Sequence, residues 1–371
     1  MKVGIDIRDL QIAQTGAKTY LVELIKAWQN LPNANIVLLD TQRKVYRGSN
    51  KFLKALEHIR FFWWKQITLP RLALKNNCTH LFCTDFFLPY KKRWNSGSLK
   101  TIAVLHDAFF WESPEHYNAI WLKLFHLIGV PAAKKADLLI VPTEYAKQRI
   151  LHFENFAPHK ILVVHEAAKT LPILSDPQTK LASLVPQLVG QKYFLHVGVL
   201  EKRKNITTLL AAFAQVYKNN PALKLVLVGN TPVKEKLNDA PYINACIKQL
   251  QLEDAIVRLG YLEAEELASV YQCAFAYVFP SMNEGFGLPV LEAFNAGLAV
   301  ICANNSALPE VAGNAALYFA PHDVQALFNG MQSILTDASL QKDLVQKGKE
   351  RLALFSWTKA AKEIETALSK L

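Results

Sequence analysis

The sequence lacks the cysteine pattern of a disulfide-stabilised protein and has no long apolar run. Its five cysteines are Cys78, Cys83, Cys246, Cys273 and Cys302. An odd number at wide spacing fits neither a disulfide framework nor a zinc site. The apolar stretches at 61–74 and 121–130 are interrupted by Lys or Arg well before about 18 apolar residues accumulate, so no membrane span is expected. Asp6 lies where a signal peptide needs apolar residues, which favours a cytoplasmic protein.

The chain is too long for a single hydrophobic core and too apolar to be disordered. It has 371 residues, beyond the roughly 250–300 at which one core stops growing, so two domains are expected. Hydrophobic residues make up 51% of the chain and charged residues 20%, which excludes the disordered and low-complexity classes.

The net charge of +11 comes entirely from the first half. Residues 1–170 contain 24 Lys and Arg against 13 Asp and Glu, while 171–371 contain 18 of each. The segment 43–75 holds nine basic residues and one acidic residue, Glu57, interleaved with Phe and Trp. Basic and aromatic residues together are typical of a surface that binds an anionic membrane. The alternative is a solvated basic helix face above a core of aromatic side chains.

Short apolar runs alternate with amphipathic stretches along the whole chain, which predicts α/β units with parallel sheets. Six candidate strands in the first half begin with Val3–Ile7 and end with Ile161–His165. Six more in the second half begin with Tyr193–Val199 and end with Ala316–Phe319. The expected fold is α/β, with two Rossmann-like, doubly wound parallel-sheet domains.

The pattern also predicts the domain limits. Residues 1–170 form an N-terminal domain, and 192–352 form a C-terminal domain. The segment 171–191 contains three prolines and no clear period, so it is predicted to be a linker. The amphipathic stretch within 353–371 has no strand after it and is a candidate helix that packs back on the N-terminal domain.

The run Phe279–Glu292, FPSMNEGFGLPVLE, predicts a buried strand, a glycine-containing loop and a helix that begins at Pro289. Unpaired amides of the loop and of the first helical turn form a candidate anion site. The candidate donor-binding residues of this run are Gly285, Phe286, Gly287, Leu288 and Glu292.

Cations for such an anion follow the first strand of the same domain, where GVLEKRKN contains Arg203 and Lys204. Arg can grip two phosphate oxygens while Lys acts as a point charge. The carboxylates of Glu284 and Glu292 can accept hydrogen bonds from sugar hydroxyls. Each feature alone is common in structural roles, but the combination of a phosphate site with hydroxyl acceptors predicts that a nucleotide sugar binds here.

The second half resembles the retaining, metal-independent glycosyltransferases of family 4, which have the GT-B fold. The motifs that carry the resemblance are GVLEKRKN, LVLVGN, LGYL and the long run from VFPSMNEGFGLPVLE to NAALYF. The first half resembles the family more loosely, through GIDIRDL, TGAKTY and VLHD. The resemblance implies that the two domains face each other across a cleft.

The resemblance also implies roles for the candidate residues. Glu284 would contact the transferred sugar, and Glu292 would bind the ribose hydroxyls. Arg203 and Lys204 would neutralise the leaving diphosphate. These residues would need neither a metal ion nor a cofactor.

The first domain would contribute two further residues to this site. His106, at a strand end, would reach the sugar from the acceptor side. Gly16, the only glycine of TGAKTY, would let the backbone approach the phosphate, although many relatives have two glycines in this loop.

The expected activity is retaining transfer of a hexose, with mannose favoured, from a nucleotide-diphosphate sugar to a lipid-linked or polysaccharide acceptor. Such transfer serves the synthesis of cell-surface polysaccharide or lipopolysaccharide at the inner face of the membrane, where segment 43–75 would dock. Two alternatives stay open: a GT-B-fold sugar-nucleotide epimerase, and a non-catalytic nucleotide- or nucleic-acid-binding protein. No nucleic-acid motif is present in the sequence, so no nucleic-acid partner is expected.

Overall fold

The computed structural model describes residues 1–13, 16–46, 48, 50–90, 99–232 and 237–371, with residue 51 described by its backbone alone. These residues form two compact units, Met1–Glu166 with Ser356–Leu371, and Ala167–Phe355. Two residues named above, Arg47 of segment 43–75 and Thr15 of TGAKTY, lie outside the described residues.

The first unit contains a parallel sheet of six strands in the order β2-β1-β3-β4-β5-β6. The strands are β1 Val3–Asp6, β2 Ile36–Leu39, β3 His80–Cys83, β4 Lys100–Val104, β5 Leu138–Val141 and β6 Ile161–Val163. The helices before the second unit are α1 Gly16–Gln29, α2 Lys51–Trp63, α3 Leu69–Lys75, α4 Phe109–Glu112, α5 Ala119–Leu124, α6 Val130–Lys134 and α7 Glu144–Phe153. Single π-helical turns, Trp64–Thr68 and Phe125–Gly129, follow α2 and α5.

The second unit contains another parallel sheet of six strands, in the order β12-β11-β10-β7-β8-β9. The strands are β7 Tyr193–Val197, β8 Lys224–Val228, β9 Ile256–Leu259, β10 Ala276–Phe279, β11 Ala299–Ala303 and β12 Ala316–Phe319. The helices are α8 Pro177–Leu184, α9 Ile206–Asn219, α10 Ala240–Gln249, α11 Ala264–Gln272, α12 Leu288–Asn295, α13 Leu308–Ala312, α14 Val324–Thr336 and α15 Ala338–Leu352.

Both sheets are doubly wound, and the predicted α/β fold is confirmed. Strands β3, β5, β10 and β11 are buried along their whole length. Parallel strands covered by helices on both faces need continuous apolar runs, which is why the sequence showed them clearly. In each sheet the order in which the chain adds strands reverses once. This switch point lies between β1 and β3 in the first unit and between β7 and β10 in the second.

The predicted linker, 171–191, is folded within the second unit. Helix α8 begins after Asp176, whose side chain accepts a hydrogen bond from the Thr179 amide at 3.0 Å. Leu181 and Leu188 are buried. One short helix with a proline at its first position gives no apolar period long enough to distinguish it from a linker.

Segment 43–75 lies only partly on the surface, and the interpretation of the whole segment as a surface is wrong for Trp64 and Lys65. Both side chains are buried. The Lys65 ammonium lies 2.6 Å from the Asp6 carboxylate and 2.8 Å from that of Asp85. Because Asp6 ends β1 and Asp85 follows the neighbouring strand β3, the two acids lie together, hold the lysine inside and supply its counter-charge.

The last helix, α16 Trp357–Leu368, packs on α1 of the first unit. The rings of Trp357 and Tyr20 lie 5.7 Å apart, and His80 Nε2 lies 3.1 Å from the Leu368 carbonyl oxygen. Among the residues described, every helix is too short or too polar to cross a bilayer.

Candidate functional site

The candidate site of the second unit lies at the carboxyl ends of β7 and β10. These strands are neighbours in the sheet, and the chain leaves them in opposite directions, β7 toward β8 and β10 toward β11. In an open α/β sheet the crevice at such a reversal is where ligands bind. The loops that follow β7 and β10 carry the predicted residues Arg203, Lys204 and Glu284.

The loop after β7 contains Asn205 in a backbone conformation that few residue types adopt. Asn205 ends a 3-10 turn with φ of 54°, in the left-handed region that Asn tolerates better than most side chains. The side-chain nitrogen Nδ2 of Asn205 donates to the Pro280 carbonyl at 3.2 Å, and the backbone N–H of Met282 donates to the Arg203 carbonyl at 2.7 Å. These bonds join the loops after β7 and β10.

Glycine is required where the loop after β8 meets the loop after β7. Gly229 has φ of +143°, and a Cβ there would lie 1.9 Å from the Gly198 carbonyl oxygen. Any other residue would push the two loops apart. The glycines of GVLEKRKN and LVLVGN therefore fix the backbone from which the cations extend.

Three donor groups surround one carboxylate oxygen of Glu284. Glu284 Oε1 lies 2.5 Å from Lys204 Nζ, 2.9 Å from Arg203 Nη1 and 2.6 Å from Ser281 Oγ. Arg203 Nε also lies 2.6 Å from a carboxylate oxygen of Glu201. The structure thus brings together three of the predicted residues and adds Ser281 and Glu201, which sequence reasoning missed.

These contacts change the acid–base properties of the pair. Burial by itself would raise the pKa of Glu284, but the charges of Arg203 and Lys204 lower it to about 2. Burial and the charge of Arg203 lower the pKa of Lys204, and the Glu284 carboxylate opposes that shift. The site therefore holds a carboxylate that stays ionised, next to a buried lysine and an arginine that is 28% exposed.

Helix α12 begins at the loop after β10, one residue before the predicted Pro289. Gly287 precedes it with φ of +116°, and a Cβ there would lie 2.9 Å from the Leu308 side chain. Leu288 and Pro289 begin the helix, and the amino-terminal end of its dipole supplies the partial positive charge expected of an anion site. Phe286 is buried and its ring lies 5.9 Å from that of Phe355, so its side chain serves the core.

Glu292 lies on α12 and is buried. Its Oε2 accepts a hydrogen bond from the Tyr271 hydroxyl at 2.9 Å. Burial raises the pKa of Glu292, and the bond from Tyr271 opposes the shift. Tyr271 lies on α11, so its contact with α12 could not be read from the sequence.

The buried His196, which the sequence analysis did not select, lies close to Lys204. His196 Nδ1 lies 3.0 Å from the Val278 carbonyl oxygen. Because that oxygen can only accept, Nδ1 carries the proton and donates a hydrogen bond to it. Its Nε2 is buried without a hydrogen-bond partner in the described part of the chain. A Cβ at Gly198 would touch both His196 Nε2, at 3.3 Å, and Lys204 Cε, at 3.4 Å. Burial lowers the pKa of His196 to about 4, so the ring is neutral.

The remaining predicted residues, His106 and Gly16, belong to the first unit. His106 follows β4, and its Nδ1 lies 3.1 Å from Glu166 Oε1. Its ring meets the ring of Tyr20 edge-on at 4.8 Å. Gly16 is the first residue of α1 and is exposed.

Within the described ranges, no group of three or more His, Cys, Asp and Glu side chains is arranged to hold a metal ion.

The candidate site lies within the part of the chain that is similar to known proteins. The family model of the glycosyl transferases group 1 matches residues 185–351, which include Arg203, Lys204, Glu284 and Glu292. The chain is 28% identical to the O-antigen chain mannosyltransferase B of Escherichia coli over 275 residues, 74% of this chain and 69% of that protein. It is 27% identical to the serotype-specific mannosyltransferase WbdA of Escherichia coli over 269 residues, 71% of this chain but 32% of that longer protein.

Solved structures agree on the fold. The chain matches a sucrose-phosphate synthase from Thermosynechococcus elongatus with a TM-score of 0.79 and 19% identity, over 100% of this chain and 98% of the other. Fold, site and relatives together define a glycosyltransferase with the GT-B fold. The second unit matches the family model of the glycosyl transferases group 1 over most of its length. The resemblance noted in the sequence is thereby confirmed.

Proposed function

We propose that this glycosyltransferase moves a hexose, with mannose favoured, from a nucleotide-diphosphate sugar to a glycan or lipid-linked acceptor. The two Escherichia coli relatives are named as mannosyltransferases, one of them acting on the O-antigen chain, and this supports a role in O-antigen or related cell-surface polysaccharide synthesis. The proposed transfer retains the anomeric configuration and uses no metal ion or cofactor.

The observation that carries the proposal is the pairing of Arg203 and Lys204 with Glu284 at the reversal between β7 and β10. When the glycosidic bond of the donor breaks, negative charge grows on the β-phosphate. Arg203, the buried Lys204 and the first turn of α12 can stabilise that charge. Glu284 lies within reach of the same cations, where it can accept hydrogen bonds from the hydroxyls of the transferred sugar.

Retention would follow a front-face route. The acceptor oxygen bonds to the anomeric carbon on the face from which the diphosphate departs, and the hydroxyl proton passes to the departing phosphate oxygen. This route needs strong leaving-group stabilisation rather than a protein nucleophile, which suits a site whose carboxylate is neutralised by two cations.

We assign the acceptor side to the first unit. His106, fixed by Glu166, and the start of α1 at Gly16 lie at the carboxyl edge of its sheet, where α/β proteins bind ligands. The unit also carries the basic and aromatic segment 43–75, which we propose docks the enzyme at the inner face of the cell membrane, where a lipid-linked acceptor would be found.

The test begins with thermal shifts measured with GDP, UDP, dTDP and ADP, since the preferred nucleotide stabilises the protein by mass action. The matching nucleotide sugar is then assayed for transfer to lipid-linked oligosaccharide, with and without EDTA, and the product anomer is assigned by NMR. Transfer should survive EDTA and give the retained anomer. Conversion of the donor to an isomer without acceptor would identify an epimerase instead.

A further inference from the structure

Helix α2 turns an apolar stripe toward solvent. Phe52, Ile59 and Trp63 recur at intervals of seven and four residues, and Phe62 adjoins Trp63; in chain order the four are 76%, 65%, 44% and 58% exposed. An amphipathic helix of a globular protein normally turns this stripe to the core. In the isolated chain, the apolar stripe of α2 is therefore exposed to water.

A second stripe, which the sequence analysis did not identify, lies on α5 and the π-helical turn after it. Ile120, Leu124 and Leu127 are 72%, 42% and 72% exposed and follow one another at intervals of four and three residues. That spacing places them on one helix face.

The two helices are linked by a chain of rings. Phe61 of α2 contacts Phe87 at 5.5 Å between ring centroids, and Phe87 contacts Trp121 of α5 at 6.2 Å. The two stripes thus belong to one neighbourhood of the first unit, which we call the two-helix face. Large exposed apolar patches mark interaction sites.

The exposed charged side chains described on α2 and α5 are basic. Lys54 and Arg60 on α2 and Lys123 on α5 are exposed. Glu57, the only acid of segment 43–75, points inward, because its carboxylate bonds Arg8 at 2.8 Å and is 15% exposed. The sequence of the first unit contains 26 Lys and Arg against 15 Asp and Glu, which is the whole net charge of the protein.

We infer that the two-helix face docks on an anionic lipid bilayer by inserting the apolar side chains of both α2 and α5 among the lipids. A protein partner fits less well, because the centres of protein interfaces are depleted in lysine. A bilayer takes up apolar side chains and binds lysines at its headgroups at the same time. This deepens the proposed function, which places only segment 43–75 at the membrane, and adds α5 and insertion to it.

The experiment is co-sedimentation of the full chain with vesicles of phosphatidylcholine alone and of phosphatidylcholine with phosphatidylglycerol. We expect binding to the anionic vesicles only. Phe62→Ser with Trp63→Ser, and separately Ile120→Ser with Leu127→Ser, should each lower the partition coefficient about tenfold or more, since burial of large apolar side chains contributes at least that much.

Three matched variants complete the design. Ile173→Ser changes a side chain that is 92% exposed in the second unit and should bind like the wild type. Lys54→Glu with Lys123→Glu should weaken binding to the anionic vesicles. The Trp fluorescence of the wild type should shift to the blue on anionic vesicles, and Trp63→Phe should reduce that shift.

Several results would overturn the inference: no binding to anionic vesicles, equal binding to both vesicle types, or unchanged binding by both serine variants. Reversible dimers that form without lipid and are lost in the Ile120→Ser, Leu127→Ser variant, with no vesicle binding, would assign the face to a second copy instead. The assay contains neither donor nor acceptor, so its outcome is independent of whether the proposed transfer is correct.

Discussion

Lys204 Nζ lies 2.5 Å from Glu284 Oε1, although the two residues are 80 positions apart in the chain. Arg203 bonds the same oxygen at 2.9 Å. A diphosphate that binds these cations must therefore share them with the Glu284 carboxylate or displace it. Glu284 thereby affects both the sugar and the leaving group of the donor.

Replacing Glu284 should separate these two effects. In Glu284→Gln the amide no longer competes as an anion, so the affinity for the free nucleoside diphosphate should rise about tenfold, equivalent to about 1.4 kcal/mol. Transfer activity should fall, because the neutral side chain binds the sugar hydroxyls less strongly. Isothermal titration with the preferred nucleotide measures the first effect, with the exposed Glu253→Gln as control. Weaker nucleotide binding by Glu284→Gln would contradict this account.

Lys204→Ala should lower the rate of transfer by about two orders of magnitude, as expected when a group that stabilises developing charge is removed. Lys202 lies in the same 3-10 turn but is exposed, so Lys202→Ala is the matched control and should retain activity. The comparison is made by steady-state kinetics at saturating donor. Equal rates for the two variants would show that the charge of the loop, and not the position of Lys204, matters.

Acid should destabilise the second unit partly through Glu284. Because its pKa is lowered to about 2 from its ordinary value of 4.5, its contribution is full above about pH 4.5 and is lost as the pH falls through 2. The lost free energy of unfolding is about 3 kcal/mol. Urea unfolding followed by far-UV circular dichroism over this range measures it.

Glu284→Gln is the control for this acid effect and should show a flatter pH dependence between about pH 4.5 and 2. The lowered pKa of His196, about 4, causes a separate loss of stability in both proteins as the pH falls from 6.5 to 4. Parallel curves for the two proteins below about pH 4.5 would mean that the Glu284 cluster contributes nothing to stability.

Removing the buried lysine of the first unit should be costly. Lys65→Met leaves the carboxylates of Asp6 and Asp85 without their cation, and we expect a loss of about 3–5 kcal/mol in the free energy of unfolding. Chemical denaturation followed by Trp fluorescence suits this test, because the Trp64 indole donates to Asp6 at 3.2 Å. The exposed Lys75→Met is the control, and equal stability of the two variants would argue against the charge network.

The sequence predicted the strands closely. All four strands whose bounds are predicted above begin at the observed residue, and Ala316–Phe319 also ends there. Parallel strands under two layers of helices are apolar throughout, so a short run is enough to reveal them. The segment around α8 was missed because a short, half-exposed helix that starts with proline has no such run.

The candidate donor residues followed from local motifs, because a strand, a glycine loop and a helix start are encoded by neighbouring residues. The partners of those residues did not. Tyr271 lies on another helix and His196 on strand β7, and no spacing in the sequence connects them to Glu292 or Lys204. Ser281 lies three residues before Glu284 in the same motif, but the motif by itself does not show that its hydroxyl bonds the carboxylate.

By itself the sequence determined two doubly wound units, a basic first half and the loops that carry Arg203, Lys204 and Glu284. The tertiary structure decided which charges meet and which side chains face water. It paired Lys204 with Glu284, buried Lys65 between two acids, and turned the apolar stripe of α2 outward. The physical reason is that local patterns specify strands and helices, whereas the counter-charge and burial of a side chain depend on elements distant in the chain that only folding brings together.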